Sequence, residues 1–183
     1  MKKDVVYLVW TDIKTGNKYK VAELYKMDNE FYFKAYNSIG DFFMLINYTT
    51  KELDLLARIM RAEALAEGNL GMLMVGNVVV NRAIANCLTF KDIRTITDAI
   101  YQKNQFSGTK SSLFQGSATT KEKDLAKRVL RGEYFYPATH ALWFYAPKTG
   151  DSCKNKWYDQ ALAGRYKNHC FYKPDSGVCV ELY

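Results

Sequence analysis

Histidine, proline and closely paired cysteines are scarce in this chain of 183 residues. It contains two histidines, His140 and His169, and three prolines. The four cysteines show no CxxC spacing; they are Cys87, Cys153, Cys170 and Cys179. Structural zinc sites need closely spaced cysteine or histidine ligands. The sequence therefore predicts no metal site and no cofactor.

Long apolar runs are also absent, and none is long enough to span a membrane. The run at residues 5–10 is too short for the apolar part of a signal peptide, and no small-residue cleavage site follows it. We therefore expect no signal peptide, so a protein that acts outside the cell would need another route. Without such a signal we expect reduced thiols, although the three late cysteines could pair if they were oxidised.

The chain is basic and rich in aromatic residues, with a net charge of +7 and 14 tyrosines. A basic surface favours polyanionic partners such as nucleic acid, an anionic membrane or the bacterial wall with its stem-peptide carboxylates. The lysines and arginines are spread along the chain, which argues against a dedicated nucleic-acid patch. The tyrosines either pack in the core or stack on sugars or bases.

The pattern of apolar residues divides the chain into two unequal parts and predicts an α+β fold. Residues 4–36 alternate like a β-meander of three strands, with a turn at Thr15-Gly16-Asn17. Residues 37–50 form a connector, whose apolar run at 42–46 could be a strand or a docking segment. We expect this small sheet to dock on the larger part, because an isolated sheet of this size is marginal in water.

From residue 50 onward the spacing is helical. Thr49 or Thr50 can cap a first helix that starts at Lys51 or Glu52, and Thr119 with Glu122 forms a second capping signal. Further elements are predicted as a central helix at 70–86 that is apolar almost all round, a short helix at 93–101, a polar loop at 103–118, and strands at 141–146 and 168–172.

Glu63 breaks the apolar pattern of the first helix. Leu56, Ile59 and Met60 form its buried stripe, and the next position on that face is Glu63. The glutamate could cap a neighbouring helix or pair with a buried arginine, for which Arg58 and Arg82 are candidates. Alternatively, an apolar environment holds a proton on this carboxyl group, as the general acid of glycosidic cleavage requires.

Glu67 lies one turn beyond Glu63 and beside Gly68. A second carboxylate at that distance could raise the proton affinity of Glu63 further. We expect instead a solvated residue at the end of the helix.

Five segments in order resemble the SleB/CwlJ-type cell wall hydrolase family, which includes spore-cortex-lytic enzymes. They are Leu56 to Ala64 with Gly71 and Val78 to Arg82, Ile100-Tyr101-Gln102 with Gln105-Phe106-Ser107, Ala126 to Gly132, Ala141 to Pro147, and Asn168 to Tyr172. The resemblance covers roughly residues 52–172. It suggests a catalytic domain at 49–183 and leaves 1–48 as an appendage of unknown role.

The resemblance implies a lysozyme-like, mainly helical catalytic domain with a small antiparallel sheet, and peptidoglycan strands as the partner. It places the family's catalytic glutamate on Glu63 and implies lytic transglycosylation, in which one carboxyl group acts as acid and then as base. The residues implied for substrate binding are Tyr101, Gln105, Phe106, Ser107, Tyr145, Asn168 and His169. For Asn168 and His169, a buried hydrogen-bond network is an equal alternative.

Two other functions fit the same residues. A hydrolytic muramidase or glucosaminidase on this fold would need a second carboxylate besides Glu63. A non-catalytic wall-binding protein would need no catalytic carboxylate. A partner nucleic acid and a membrane span are not expected. The resemblance implies action on the cell wall or spore cortex. The protein would reach that site by assembly into the spore coat, or by release during lysis as phage lysins are.

Overall fold

A computed structural model describes residues 5–11, 18–27, 30–35 and 46–182. Its helices are α1 (Thr50–Ala64), α2 (Gly68–Ile84), α3 (Ile96–Tyr101) and α4 (Thr120–Leu130). Its strands are β1 (Val5–Thr11), β2 (Lys18–Met27), β3 (Glu30–Ala35), β4 (Glu133–Tyr134), β5 (Trp143–Tyr145), β6 (Lys156–Trp157), β7 (Gln160–Tyr166) and β8 (His169–Lys173). Short 3-10 turns lie at Leu65–Glu67, Leu88–Phe90, Ser107–Lys110, Ser112–Phe114 and Val180–Leu182. The predicted combination of helices with a small antiparallel sheet is confirmed.

Capping boxes begin three of the helices. At α1 the backbone N–H of Glu52 donates to Thr49 Oγ1 at 3.2 Å, and the N–H of Thr49 donates to the Glu52 carboxylate at 3.0 Å. The same reciprocal arrangement joins Thr119 to Glu122 at α4. Both starts were predicted, because a capping box is a local pattern in which side chains satisfy the free N–H groups of the first turn.

The central helix α2 is buried on almost every side, as its apolar composition predicts. It packs against α1 and α4. A Cβ atom at Gly76 would lie 3.0 Å from both Met60 Sδ of α1 and Val129 Cγ2 of α4. The absence of a side chain at Gly76 therefore lets three helices approach one another closely around a single core.

The antiparallel sheet after α4 has the strand order β5-β8-β7-β6. Strand β5 lies within the segment predicted at 141–146, and β8 overlaps the segment predicted at 168–172 but ends one residue later. Phe144 of β5 lies opposite Phe171 of β8. The hairpin of β6 and β7, at 156–166, was not predicted. Its sequence mixes polar and small residues because its side chains are only partly buried, so the alternation that marks a strand is weak.

A second sheet has the order β1-β2-β3-β4, and each pair of neighbours is antiparallel. Its last strand, β4, follows α4 and was not predicted from sequence. The predicted turn at Thr15-Gly16-Asn17 and most of the predicted connector lie outside the described residues. The division into an appendage at 1–48 and a catalytic domain at 49–183 stays a prediction.

The expectation of reduced thiols is wrong for this structure. Disulfides join Cys87 to Cys179 and Cys153 to Cys170, with Cα–Cα distances of 5.4 and 5.7 Å. Sequence reasoning considered pairing only among the three late cysteines. The fold instead returns the end of the chain to the segment after α2, where Cys179 and Leu182 pack with Phe90 and Leu142.

No helix among the described residues is long and apolar enough to cross a membrane.

Candidate active site

Glu63 lies in the last turn of α1 and is half-buried against the 3-10 turn Ser107–Lys110. The backbone N–H of Gly108 in that turn donates a hydrogen bond to Glu63 Oε1 at 2.5 Å. Burial raises the pKa of Glu63 above its ordinary value, while the Gly108 hydrogen bond and the charge of Arg82 partly oppose that rise. The result is a carboxyl group whose protonated form is favoured relative to a carboxyl group in water.

Gly108 fits against Glu63 because it has no side chain. A Cβ atom at this position would lie 2.6 Å from Glu63 Oε1 and 3.0 Å from the Cβ atom of Ala62. Sequence reasoning missed this residue, although it directly follows the Gln105-Phe106-Ser107 segment. A glycine next to a motif of candidate functional residues is a signal that backbone must approach another group closely.

Arg82 is the arginine whose charge acts on Glu63. It is only 2% exposed, and its Nε atom donates to the backbone oxygen of Leu142 at 2.8 Å. Its Cζ atom lies 4.5 Å from the ring centroid of Phe106 and 5.1 Å from that of Phe90. Burial lowers the pKa of Arg82 to about 9 and Glu63 opposes that change, so the guanidinium stays charged at neutral pH.

Arg58, the other candidate partner of Glu63, contacts Phe114 and Asp54. Its Nε atom donates to the backbone oxygen of Phe114 at 2.6 Å, and its Cζ atom lies 4.4 Å from the Phe114 ring centroid. Its Nη1 atom also lies 3.8 Å from Asp54. Arg58 and Arg82 therefore have similar surroundings, an aromatic ring and a carbonyl oxygen, but differ in their relation to Glu63.

Glu67 is buried, and the expectation of a solvated residue at the helix end is wrong. It is 5% exposed, and its carboxylate accepts hydrogen bonds from Asn168 Nδ2 at 3.0 Å and from the Asn168 N–H at 3.3 Å. Its backbone oxygen accepts from Lys167 Nζ at 2.6 Å. The turn between β7 and β8 folds over this glutamate, which is 101 residues away from Asn168 in sequence.

His169 begins β8 and is buried beside aromatic rings. Its ring meets Phe144 edge to face at 5.1 Å and Phe171 at 6.2 Å between centroids. Burial lowers the pKa of His169, and the charge of Glu67 opposes this. Its Nδ1 atom has no hydrogen-bond partner among the described residues. Asn168 and His169 thus lie side by side, with Asn168 bound to Glu67 and His169 packed on rings.

The residues from Gln105 to Ser107 directly precede Gly108, the residue that contacts Glu63. Phe106 is buried between Arg82 and Phe144, whose ring centroid is 6.1 Å from its own. Ser107 is exposed, and Gln105 is partly exposed. Tyr101 is exposed and meets Phe114 edge to face at 6.4 Å. Tyr101 and Ser107 border a depression of about 330 Å³ on this loop.

A larger cleft of about 520 Å³ lies next to Arg82. Its lining includes Arg82, Gln105, Trp143, Phe144, Trp157 and Tyr158. Tyr145 lies behind this lining, stacked on Tyr172 at 5.7 Å and close to Trp157 at 4.8 Å. Sequence reasoning did not select the two tryptophans. Trp143 lies in a predicted strand, but Trp157 lies on β6, which was not predicted, and the cleft forms only when these distant strands meet.

A family model described as Cell Wall Hydrolase matches residues 66–172, more than half of the chain. This chain belongs to the cell wall hydrolase family. As a family member it is an enzyme that degrades peptidoglycan. The match begins three residues after Glu63, so it does not itself include the glutamate.

Curated relatives of this cell wall hydrolase cover most of its length. It is 46% identical over 140 residues to the cell wall hydrolase CwlJ of Oceanobacillus iheyensis, covering 76% of this chain and 98% of the relative. It is 43% identical over 139 residues to the cell wall hydrolase CwlJ of Bacillus subtilis, covering 76% of this chain and 96% of that protein. The family predicted from five short segments is therefore confirmed.

Solved structures show the same fold for this cell wall hydrolase. The catalytic domain of the Bacillus cereus SleB protein matches with a TM-score of 0.55 at 21% identity, covering 70% of this chain and 96% of that domain. The catalytic domain of the germination-specific lytic transglycosylase SleB from Bacillus anthracis also matches with a TM-score of 0.55 at 21% identity, covering 69% of this chain and 98% of that domain.

Proposed function

We propose that this enzyme cleaves glycan strands of peptidoglycan by lytic transglycosylation, with Glu63 as the only acid and base. The bond cleaved joins N-acetylmuramic acid to N-acetylglucosamine. The observation that carries the proposal is the half-buried Glu63 carboxyl group, whose pKa burial raises. The name of the SleB relative from Bacillus anthracis, a lytic transglycosylase, agrees with this reaction.

In the first step neutral Glu63 donates its proton to the glycosidic oxygen. The bond from that oxygen to C1 of the muramic residue breaks, and the N-acetylglucosamine end leaves as an alcohol. In the second step the Glu63 carboxylate removes the proton from the C6 hydroxyl of the same muramic residue. The O6 atom then bonds to C1 and closes a 1,6-anhydro ring, so the proton returns to Glu63 and no water is consumed.

The surroundings of Glu63 suit a group that must act in both protonation states. Burial favours the neutral acid that begins the reaction. The Gly108 N–H and the positive charge of Arg82 favour the carboxylate that exists between the two steps. Burial thus supports the first, protonated state, and the Gly108 N–H and Arg82 support the second, ionised one.

Among the candidate substrate-binding residues, Gln105 and Ser107 have the polar and accessible side chains expected of direct contacts, and Tyr101 is an exposed ring. We expect Phe106, Tyr145 and His169 to support the site by packing, since their rings contact neighbouring aromatic rings. Asn168 is expected to act through Glu67. We propose the cell wall or spore cortex as the place of action.

Mass spectrometry of digested, purified peptidoglycan tests the proposal. The wild type is expected to release anhydro-muropeptides, and Glu63→Gln is expected to reduce the rate by about 100-fold or more while folding normally. Glu181→Gln, at an exposed glutamate near the end of the chain, controls for loss of one charge and should keep full activity. Products with reducing ends would show that the enzyme hydrolyses the strand and is not a transglycosylase. A Glu63→Gln variant that keeps its activity would show that Glu63 is not the acid and base.

A further inference from the structure

Four aromatic side chains of the cleft next to Arg82 come from the sheet after α4 and its turns, and one of them is Phe144 of β5. Trp143 lies on β5, Trp157 lies on β6, and Tyr158 follows directly in the turn to β7. Gln105 reaches the same cleft from the loop that carries Gly108, and Gln160 reaches it from β7. The cleft therefore combines flat apolar surfaces with amide groups, as binding sites for polar, ring-shaped ligands do.

We propose that this cleft is a glycan subsite, in which an N-acetylated sugar next to the cleaved bond stacks on Trp157 and Tyr158 and is held at its polar edge by Gln105 and Arg82. The inference rests on the proposed function, since it takes a glycan strand as the substrate. The inference names residues other than Glu63 that would bind the strand. It also names the acetamido group as the chemical group that they would recognise.

Trp157 and Tyr158 form an aromatic surface that is supported on one side. The Trp157 ring lies 4.8 Å from Tyr145 and 5.5 Å from Tyr172 between centroids, and Tyr158 lies 4.9 Å from Trp157. Tyr158 is nevertheless 75% exposed. A ring fixed from behind and open in front loses little side-chain freedom when a sugar stacks on it.

The backbone at this surface also has unusual dihedral angles. Tyr158 and the following Asp159 both have positive φ values, +49° and +59°. Two successive residues other than glycine in this region are uncommon, and unfavourable backbone conformations are often found at binding sites. The Cys153–Cys170 disulfide and the hydrogen bond from Tyr172 Oη to the Lys154 oxygen at 2.8 Å fix the segment that precedes β6.

Arg82 supplies a charged donor to the cleft, and the same side chain interacts electrostatically with Glu63. It is 2% exposed, lines the cleft, and its Nη1 atom has no hydrogen-bond partner among the described residues. A buried guanidinium N–H without an acceptor is unfavourable. The carbonyl oxygen of an acetamido group is a neutral acceptor of the kind that this N–H lacks.

Binding to the Glu63→Gln variant tests the subsite without cleavage. The probes are a tetramer of N-acetylglucosamine and the same tetramer after deacetylation, measured by calorimetry. Trp157→Ala and Tyr158→Ala in that background are each expected to weaken binding of the acetylated tetramer about tenfold or more. Tyr136→Ala is the matched control, because Tyr136 is also 75% exposed but does not line the cleft. We expect it to leave binding unchanged.

Equal affinity of the Trp157, Tyr158 and Tyr136 variants would overturn the subsite, as would absence of binding in the Glu63→Gln parent. Equal binding of the acetylated and deacetylated tetramers would overturn the role given to the acetamido group. Failure of the inference is distinguishable from failure of the proposed function. Cleavage to anhydro products with no effect of the cleft variants rejects only the subsite, whereas binding that depends on Trp157 without any cleavage rejects only the catalysis.

Discussion

The backbone N–H of Gly108 donates to the side chain of Glu63 across 45 residues of sequence. This contact joins the last turn of α1 to the polar loop that follows α3. It limits the freedom of the carboxyl group and provides a hydrogen-bond donor that stabilises its charged form. The candidate active site therefore depends on one glycine as well as on its glutamate.

Gly108→Ala is expected to displace the Glu63 carboxyl group, because the added Cβ atom would lie 2.6 Å from Oε1. We expect a loss of about 1–3 kcal/mol in the free energy of unfolding and a clear fall in kcat. Thermal denaturation and turnover of peptidoglycan measure the two effects. Gly177→Ala, where a Cβ atom would meet nothing within 4 Å, should change neither. Full activity of Gly108→Ala would contradict the proposed importance of this contact.

Arg82→Met is expected to move the pH profile of kcat/KM. Loss of the positive charge removes an influence that lowers the pKa of Glu63, so that pKa should rise further. If Glu63 is the acid as proposed, it must be protonated in the free enzyme, so activity is expected to fall as pH rises through its pKa. In Arg82→Met this alkaline limb should shift to higher pH.

Arg58→Met is the matched control for Arg82→Met, since Arg58 also bonds a carbonyl oxygen and lies over a ring. We expect it to lower stability but to leave the alkaline limb in place. Arg82→Lys, which keeps a positive charge, should return the limb toward the wild-type position. Identical limbs in the wild type and Arg82→Met would show that Arg82 does not act on the carboxyl group.

Glu63→Gln is expected to be more stable than the wild type at neutral pH. The folded-state pKa of Glu63 lies above its ordinary value of 4.5 because of burial. A raised folded pKa contributes stability below the unfolded pKa, and that contribution is lost as pH rises through the folded value. The glutamine variant lacks this loss and can still accept the Gly108 hydrogen bond. Denaturant unfolding at pH 4 and pH 7 measures the effect, and a variant less stable than the wild type at pH 7 would oppose it.

The two disulfides are expected to act differently when each is replaced by a pair of serines. The Cys87–Cys179 bond closes a loop with a sequence separation of 92, so its loss should lower stability by about 2–4 kcal/mol. The Cys153–Cys170 bond holds the segment before Trp157, so its loss should weaken binding of the N-acetylglucosamine tetramer more than loss of the other bond does. Thermal denaturation and calorimetry on the Glu63→Gln background compare the two double variants, and equal effects on binding would contradict this assignment.

Local patterns predicted the helical core and the position of the candidate catalytic residue. The capping boxes at Thr49 and Thr119 involve residues three positions apart, so their sequence alone contains the physical reason for the helix start. Glu63 could be selected because a helix repeats every 3.6 residues, which places it on the face of Leu56 and Met60. The family could be predicted because its segments are short, ordered and spaced along these same elements.

The contacts that surround Glu63 and shift its pKa were decided only by the tertiary structure. Sequence could not choose between Arg58 and Arg82 as its charged neighbour, and it placed Glu67 in solvent although the β7–β8 turn buries that residue. The aromatic cleft at Trp157 also went unnoticed. The sequence by itself determined which helices form and which face of α1 is apolar, because neighbouring residues fix those properties. Burial, pKa and disulfide pairing depend on groups that are tens of residues apart, and only the folded chain brings those groups together.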